Sequence, residues 1–266
     1  MRRLPGPAGR IGCRHDPSTR PEGRSRTTPA ARLSAPGEGA PAGIPQFAVD
    51  LAAPEIAPWM PGNTGVRGFT TFGSGVPGPH VAVIALLHGN EYAGAIVLDR
   101  LLRQGVRPVC GQLTFGFANI AAFARFDPAQ PTASRFLDED MNRLWSPAVL
   151  DGPRRSVELD RARDLRPLIE TVDVLLDLHS MLWPSEPLIL SGPSVQGRAL
   201  AMRLGVPGLV VSDSGHAMGP RLIDFPHFTG GAAAACRVEA GQHWQPPTVD
   251  VTAACVAAVL REAGLP

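Results

Sequence analysis

Three features of the sequence predict an α/β layer fold with a mostly parallel or mixed central sheet and helices on both faces. Two continuous apolar runs, His80–Leu87 and Val172–Leu178, read as strands buried on both faces. Segments with apolar residues at helical spacing follow them. Strand and helix patterns then alternate almost to the C-terminus, as βαβ units do.

In chain order, Val66–Phe72 reads as an early strand and His80–Leu87 as a buried one. Glu91–Gln104 carries Ile96, Leu98, Leu101 and Leu102 at helical spacing, with Asn90 placed to cap it. Leu113–Asn119 is a further strand. Val157–Glu170 has a helical pattern that Pro167 should kink or end. Shorter strands are expected at Pro187–Leu190, Leu209–Ser212 and Cys236–Glu239, and helices at Val195–Leu204 and Val249–Ala263. No internal repeat is visible.

The chain has 266 residues and a formal net charge of +1, enough for one catalytic domain plus a tail. Residues 1–43 are rich in Pro, Gly, Ala, Ser and Arg. Such a segment buries too little apolar surface to offset its ordering entropy, so a disordered tail is expected, or sequence preceding a translation start near Ile44. The catalytic domain is expected over 44–266. Near-neutral charge argues against a nucleic-acid partner. No apolar stretch reaches the about 20 residues that span a bilayer, and the N-terminus lacks the apolar core of a secretory signal. A cytoplasmic protein without a membrane partner is the expectation. Cys13, Cys110, Cys236 and Cys255 form no C-x-x-C pair, so neither a cysteine metal site nor a redox motif is written here.

Four blocks carry chemistry. His88-Gly89-Asn90-Glu91 follows a buried strand, at the carboxyl edge where open α/β sheets gather ligands. A tight Gly-Asn turn can aim an imidazole and a carboxylate at one point, and catalytic zinc commonly takes two His and one Glu. Asp177-Leu178-His179 ends another buried strand. Alternation puts Asp177 and His179 on one face, so Asp177 can orient the imidazole. The segment from Arg135 to Asp140-Met141-Asn142-Arg143 has weak secondary-structure signals and offers donors for a carboxylate or a developing oxyanion. Asp138, Glu139 and Asp140 would partly neutralise and position its arginines. Glu239 precedes a glycine at the end of a short strand, where a carboxylate can move a proton. Taken singly, each block also fits an ordinary structural role: a satisfied core histidine, a solvated loop, a surface glutamate.

At these residues the chain resembles the succinylglutamate desuccinylase/aspartoacylase family of zinc carboxypeptidase-like hydrolases, in block order and rough spacing, over about Val81 to Gly264. The resemblance implies that His88, Glu91 and His179 bind one zinc ion per chain. It implies that Glu239 is the general base and then the general acid, and that Arg135 polarises the scissile carbonyl. Asn142 and Arg143 would hold the substrate carboxylate. The implied reaction is attack of zinc-activated water on the amide of a small carboxylate-bearing N-acyl amino acid. A zinc carboxypeptidase acting on a short peptide, an esterase, and a non-catalytic binding protein on the same scaffold are the alternatives. Other divalent ions and a homo-oligomer remain compatible. The chain departs from the family in two respects. It ends soon after the helix following Glu239, whereas aspartoacylase-like enzymes continue into a small C-terminal β domain that helps wall the substrate channel; that wall is expected to be missing here, or supplied by another subunit or by Trp-bearing loops such as Met181–Pro184. Its only tyrosine is Tyr92.

Overall fold

A computed structural model describes residues 47–265; the expected tail at 1–43 lies outside the described residues. Seven strands form one sheet in the order β1-β3-β2-β4-β7-β5-β6. They are β1 (Phe69–Gly73), β2 (His80–Ala85), β3 (Gln112–Phe117), β4 (Val174–Met181), β5 (Leu188–Leu190), β6 (Val210–Val211) and β7 (Ala234–Gln242). The core β3-β2-β4-β7 is parallel, while β1 runs antiparallel to β3 and β5 antiparallel to β7, so the sheet is mixed. The helices are α1 (Ala93–Gln104), α2 (Ile120–Phe123), α3 (Pro147–Leu150), α4 (Val157–Ile169), α5 (Val195–Leu204), α6 (Pro226–Thr229) and α7 (Pro246–Leu260). No helix among the described residues is long and apolar enough to cross a membrane.

Side-chain alternation divides the core in two. Val81, Val83 and Ala85 of β2, Leu176 and Leu178 of β4, and Cys236 and Val238 of β7 face one layer, where Leu98 of α1, Leu200 of α5 and Val256 of α7 pack against them. Ala82, Ile84, Leu175 and Ala235 face the other, against Leu159, Leu165 and Ile169 of α4 and the rings of Trp145 and Phe228. Each fully buried Leu, Ile or Phe contributes about 1.5–3 kcal/mol, which is why both faces must be covered. The second face matters for function. Asp177 and His179 of β4 lie on it in register with Arg237 and Glu239 of β7, so four polar side chains continue an otherwise apolar layer.

Several sequence expectations shift by a few residues. Asn90 does not cap α1, whose first residue is Ala93. Tyr92 precedes it without a side-chain cap, and Glu91 sits in the turn before the helix, with its N–H on the His88 carbonyl at 3.2 Å. Helix α4 runs through Pro167 and ends at Ile169, two residues beyond it. Strand β7 reaches Gln242, because β4 pairs with it as far as Met181. Serine caps were not anticipated: Ser156 accepts from Leu159 N at the start of α4, and Ser194 from Gly197 N at the start of α5.

Candidate active site

The site lies at the carboxyl ends of β2, β4 and β7. After β2 the chain turns at Leu86, which has φ +63° although it is not glycine. A leucine held there stores about 1–3 kcal/mol of strain, tolerated because the surrounding core over-determines it. Gly89 comes next. A Cβ on it would stand 2.4 Å from the Phe123 nitrogen and 2.5 Å from the Ser134 carbonyl, so only glycine permits this approach. Gly89 N donates to the Arg135 carbonyl at 3.0 Å, tying the loop that begins there to the turn carrying His88.

Glu91 is at the centre, 1% exposed. Its Oε1 lies 2.8 Å from His88 Nδ1 and its Oε2 2.9 Å from His179 Nδ1. The two imidazoles stand edge to face, 5.0 Å apart. The far nitrogen of each ring meets an aspartate. His88 Nε2 is 2.8 Å from Asp140 Oδ1, and His179 Nε2 is 2.8 Å from Asp177 Oδ2. Burial raises the Glu91 pKa, but the two imidazoles outweigh it and hold the carboxyl well below the usual range. Burial and Arg237 push His179 down, yet Asp177 and Glu91 bring it up to about 9. Burial also opposes ionisation of Asp140, and His88, Arg135 and Arg143 together overcome it.

These residues fit a divalent metal. In the tautomer that carries its proton on Nε2, facing an aspartate, each ring would turn the lone pair of Nδ1 toward a Glu91 oxygen, an arrangement that calls for a cation or a proton between them. His88, Glu91 and His179 can each direct one ligand atom to within 4.8 Å of the others. Two imidazoles and one carboxylate, oriented by outer carboxylates, match the donor chemistry of catalytic zinc.

Around this centre is a cleft of about 350 Å³ lined by Arg135, Trp183, Arg237, Glu239 and His243, among others. Arg135 donates from Nη1 to Glu91 Oε1 at 2.7 Å with about a third of its side chain exposed. Glu239 is bound through Oε1 to Arg237 Nη2 at 2.5 Å, while its buried Oε2 has no partner. Burial raises the Glu239 pKa, and Arg237 works against that rise. Met181, Leu182 and Trp183 form part of the wall, as expected for the Trp-bearing loop, and the Trp183 ring meets Phe47 edge-on at 5.3 Å. Asn142 and Arg143 do not line the cleft. Asn142 is fully buried and accepts from Leu222 N at 2.8 Å, which leaves its amide nitrogen 3.5 Å from His179 Nε2. Arg143 donates from Nη1 to the Asn142 carbonyl at 2.6 Å, with Nη2 3.7 Å from Asp140.

Sequence reading missed several supporting residues. The buried carboxylate of Glu158, in the first turn of α4, accepts from Leu137 N at 2.7 Å, from Asp138 N at 3.0 Å and from Asn119 Nδ2 at 3.1 Å, pinning the 135–143 loop. No local pattern signals a carboxylate whose partners are 20 to 39 residues away. Ser180 donates from its backbone N to Glu91 Oε2 at 3.2 Å, where the β4–β7 register shifts between His179 and Met181. Its hydroxyl meets His243 Nδ1 at 2.8 Å, and burial, helped by Arg135 and both site histidines, pushes His243 down to about 4. Arg237 was detectable in principle, since strand alternation puts residues two apart on one face.

Comparison with known proteins agrees with this geometry. Residues 77–191 match the family model described as the succinylglutamate desuccinylase/aspartoacylase catalytic domain, a span that includes every site residue named above except Arg237, Glu239 and His243. A curated relative, the N-acyl-aromatic-L-amino acid amidohydrolase (carboxylate-forming) A of Danio rerio, is 29% identical over 109 residues, covering 38% of this chain and 32% of its own. Among solved structures, the succinylglutamate desuccinylase of Chromobacterium violaceum is similar with a TM-score of 0.57 at 22% identity, over 73% of this chain and 66% of that one. Murine aminoacylase 3 is similar with a TM-score of 0.52 at 24% identity, over 71% and 65%. The chain thus spans less than two thirds of these relatives, and part of each has no counterpart here. The matched segment thus resembles the succinylglutamate desuccinylase/aspartoacylase catalytic domain, and the fold is shared with solved structures of that name.

Proposed function

We propose that this protein is a zinc-dependent amidohydrolase that splits a small N-acyl amino acid into a carboxylate and a free amine. The observation carrying this reading is the pairing of the two Glu91 oxygens with the Nδ1 atoms of His88 and His179, beside a buried Glu239 oxygen that lacks a partner. His88, Glu91 and His179 would hold the ion, which supplies Lewis acidity and lowers the pKa of a water. Glu239 takes a proton from the attacking water and returns it to the departing nitrogen, so the amine leaves neutral. Arg135 reaches the cleft with a fixed positive charge and stabilises the oxygen on which negative charge develops. Asp140 and Asp177 keep the imidazoles oriented. Asn142 and Arg143, which do not line the cleft, brace Asp140 instead.

Wild type and Glu239→Gln, assayed for metal content and for hydrolysis of a panel of N-acyl amino acids and short peptides, test the reading. About one zinc per chain in both, with turnover lowered about 10²–10⁴-fold in the variant, is the expected result. Cleavage of peptides alone would replace the amidohydrolase by a carboxypeptidase. Failure of metal-supplemented wild type to retain zinc would remove the proposed centre.

A further inference from the structure

Arg237 and Glu239 are two residues apart on β7, so both project from one face of the sheet into the end of the cleft. Both are more than nine-tenths buried. Strand β4 presents Asp177 opposite Arg237 and His179 opposite Glu239. Arg237 does not behave as a structural ion-pair arginine of this chain does. Arg221, also buried, has all its terminal nitrogens and its Nε engaged by Asp213 and Asp224. Arg237 places Nη2 on Glu239 Oε1, and its buried Nε has no partner. The carboxylate it holds is equally asymmetric, with Oε1 engaged and Oε2 free. A buried acceptor left unpaired is destabilising, and a symmetric fork between the two groups would have avoided that. The fold therefore keeps one buried carboxylate oxygen of Glu239 uncommitted.

We propose that Arg237 is a positioning residue for Glu239: its Nη2 clamps Oε1, fixes the plane of the carboxylate and leaves Oε2 as the oxygen that takes and returns the proton. This rests on Glu239 being the general base, as proposed above. Arg237 itself touches neither the transferred proton nor the scissile bond. An unclamped carboxylate in this place would rotate, or swing toward the site histidines, and the proton-accepting lone pair would lose its aim. A lysine has the charge but not the fork and recovers only part of the effect.

The test compares metal-loaded wild type, Arg237→Met, Arg237→Gln and Arg237→Lys by steady-state kinetics, zinc content, thermal melting and crystal structure; Arg237→Gln covers the case in which the methionine variant does not fold. The expected result for Arg237→Met is a fall in kcat of about 100-fold with KM within about threefold, recovery of about tenfold in Arg237→Lys, and zinc retained. The Glu239 carboxylate should be turned away from its wild-type orientation in the variant crystal. A raised KM with kcat preserved would overturn the proposal and make Arg237 a holder of the substrate. So would a Glu239 that stays in place with kcat within about threefold of wild type. If wild type hydrolyses nothing in the panel, the proposed function fails. The crystal orientations of Glu239 then decide the clamp by themselves.

Discussion

Strand β2 begins and leads out into buried histidines, and the two ends are built differently. At the amino edge of the sheet, His80 places Nδ1 3.1 Å from the carbonyl and hydroxyl oxygens of Thr171 and Nε2 2.7 Å from Thr114 Oγ1, which in turn meets Thr71 Oγ1 at 2.6 Å. With its Nδ1 proton directed at the Thr171 carbonyl, the ring accepts from Thr114 and every polar atom is paired. Burial lowers the His80 pKa despite the Thr171 carbonyl and Asp173, which favours the neutral ring. At the carboxyl edge, His88 and His179 have carboxylates on both nitrogens, and unpartnered atoms cluster beside them on Asp177, Arg237 and Glu239. A satisfied neutral network holds a sheet together. Convergent lone pairs, excess charge and unpaired buried atoms are instead the marks of groups arranged for a guest.

Replacing one histidine at each end is the strongest way to break this contrast. His88→Ala should reduce bound zinc from about one per chain to near none and abolish turnover, as measured by elemental analysis and hydrolysis assay. His80→Ala should leave both intact and cost about 1–3 kcal/mol of stability by removing the bridge between Thr114 and Thr171, as read in denaturant melts. Equal zinc retention in the two variants would erase the distinction.

A smaller effect sharpens the role of the outer carboxylates. Asp140→Asn should weaken zinc affinity about 10–100-fold in chelator competition while the fold persists. An unchanged affinity would reduce Asp140 to a cap for Asn142, whose N–H it also accepts at 2.8 Å.

The smallest effect concerns pH. Because the native pKa of His80 lies below its ordinary value of 6.5, the unfolded chain binds more protons than the native one once the pH falls under that value. The contribution of His80 is therefore complete above about pH 6.5 and is lost on acidification below it. Melts of His80→Gln between about pH 7.5 and about 5.5 should decline less than those of wild type, and an equal decline would mean that His80 is not the group responsible.

Much of this was legible without coordinates. The apolar runs at His80–Leu87 and Val172–Leu178 announce buried strands because a strand covered on both faces cannot alternate. The end of each run places His88 and His179 at one sheet edge. The pairing of Asp177 with His179 followed from alternation alone, and the structure holds them 2.8 Å apart. Other features lay beyond local pattern. Asn90 reads as a cap, yet Glu91 must turn inward before the helix can begin, and tertiary demand prevailed over capping preference. Asp140 reads as a mere neutraliser of arginines until the loop is laid against β2, where it becomes the partner of His88.

By itself the sequence determined the layered α/β class, the edge of the sheet where chemistry gathers, and the residue types able to hold a metal. All of these depend on periodicity and on the ends of short segments, which a chain carries locally. Only the tertiary structure decided which of the polar and charged side chains reach the cleft. It set Arg135, Arg237 and Glu239 on its wall, drew Asn142 and Arg143 away from it, and used Glu158 to fasten the loop that positions them. The direction of a long side chain is fixed by what packs against it, and those neighbours come from strands and loops far apart in the sequence.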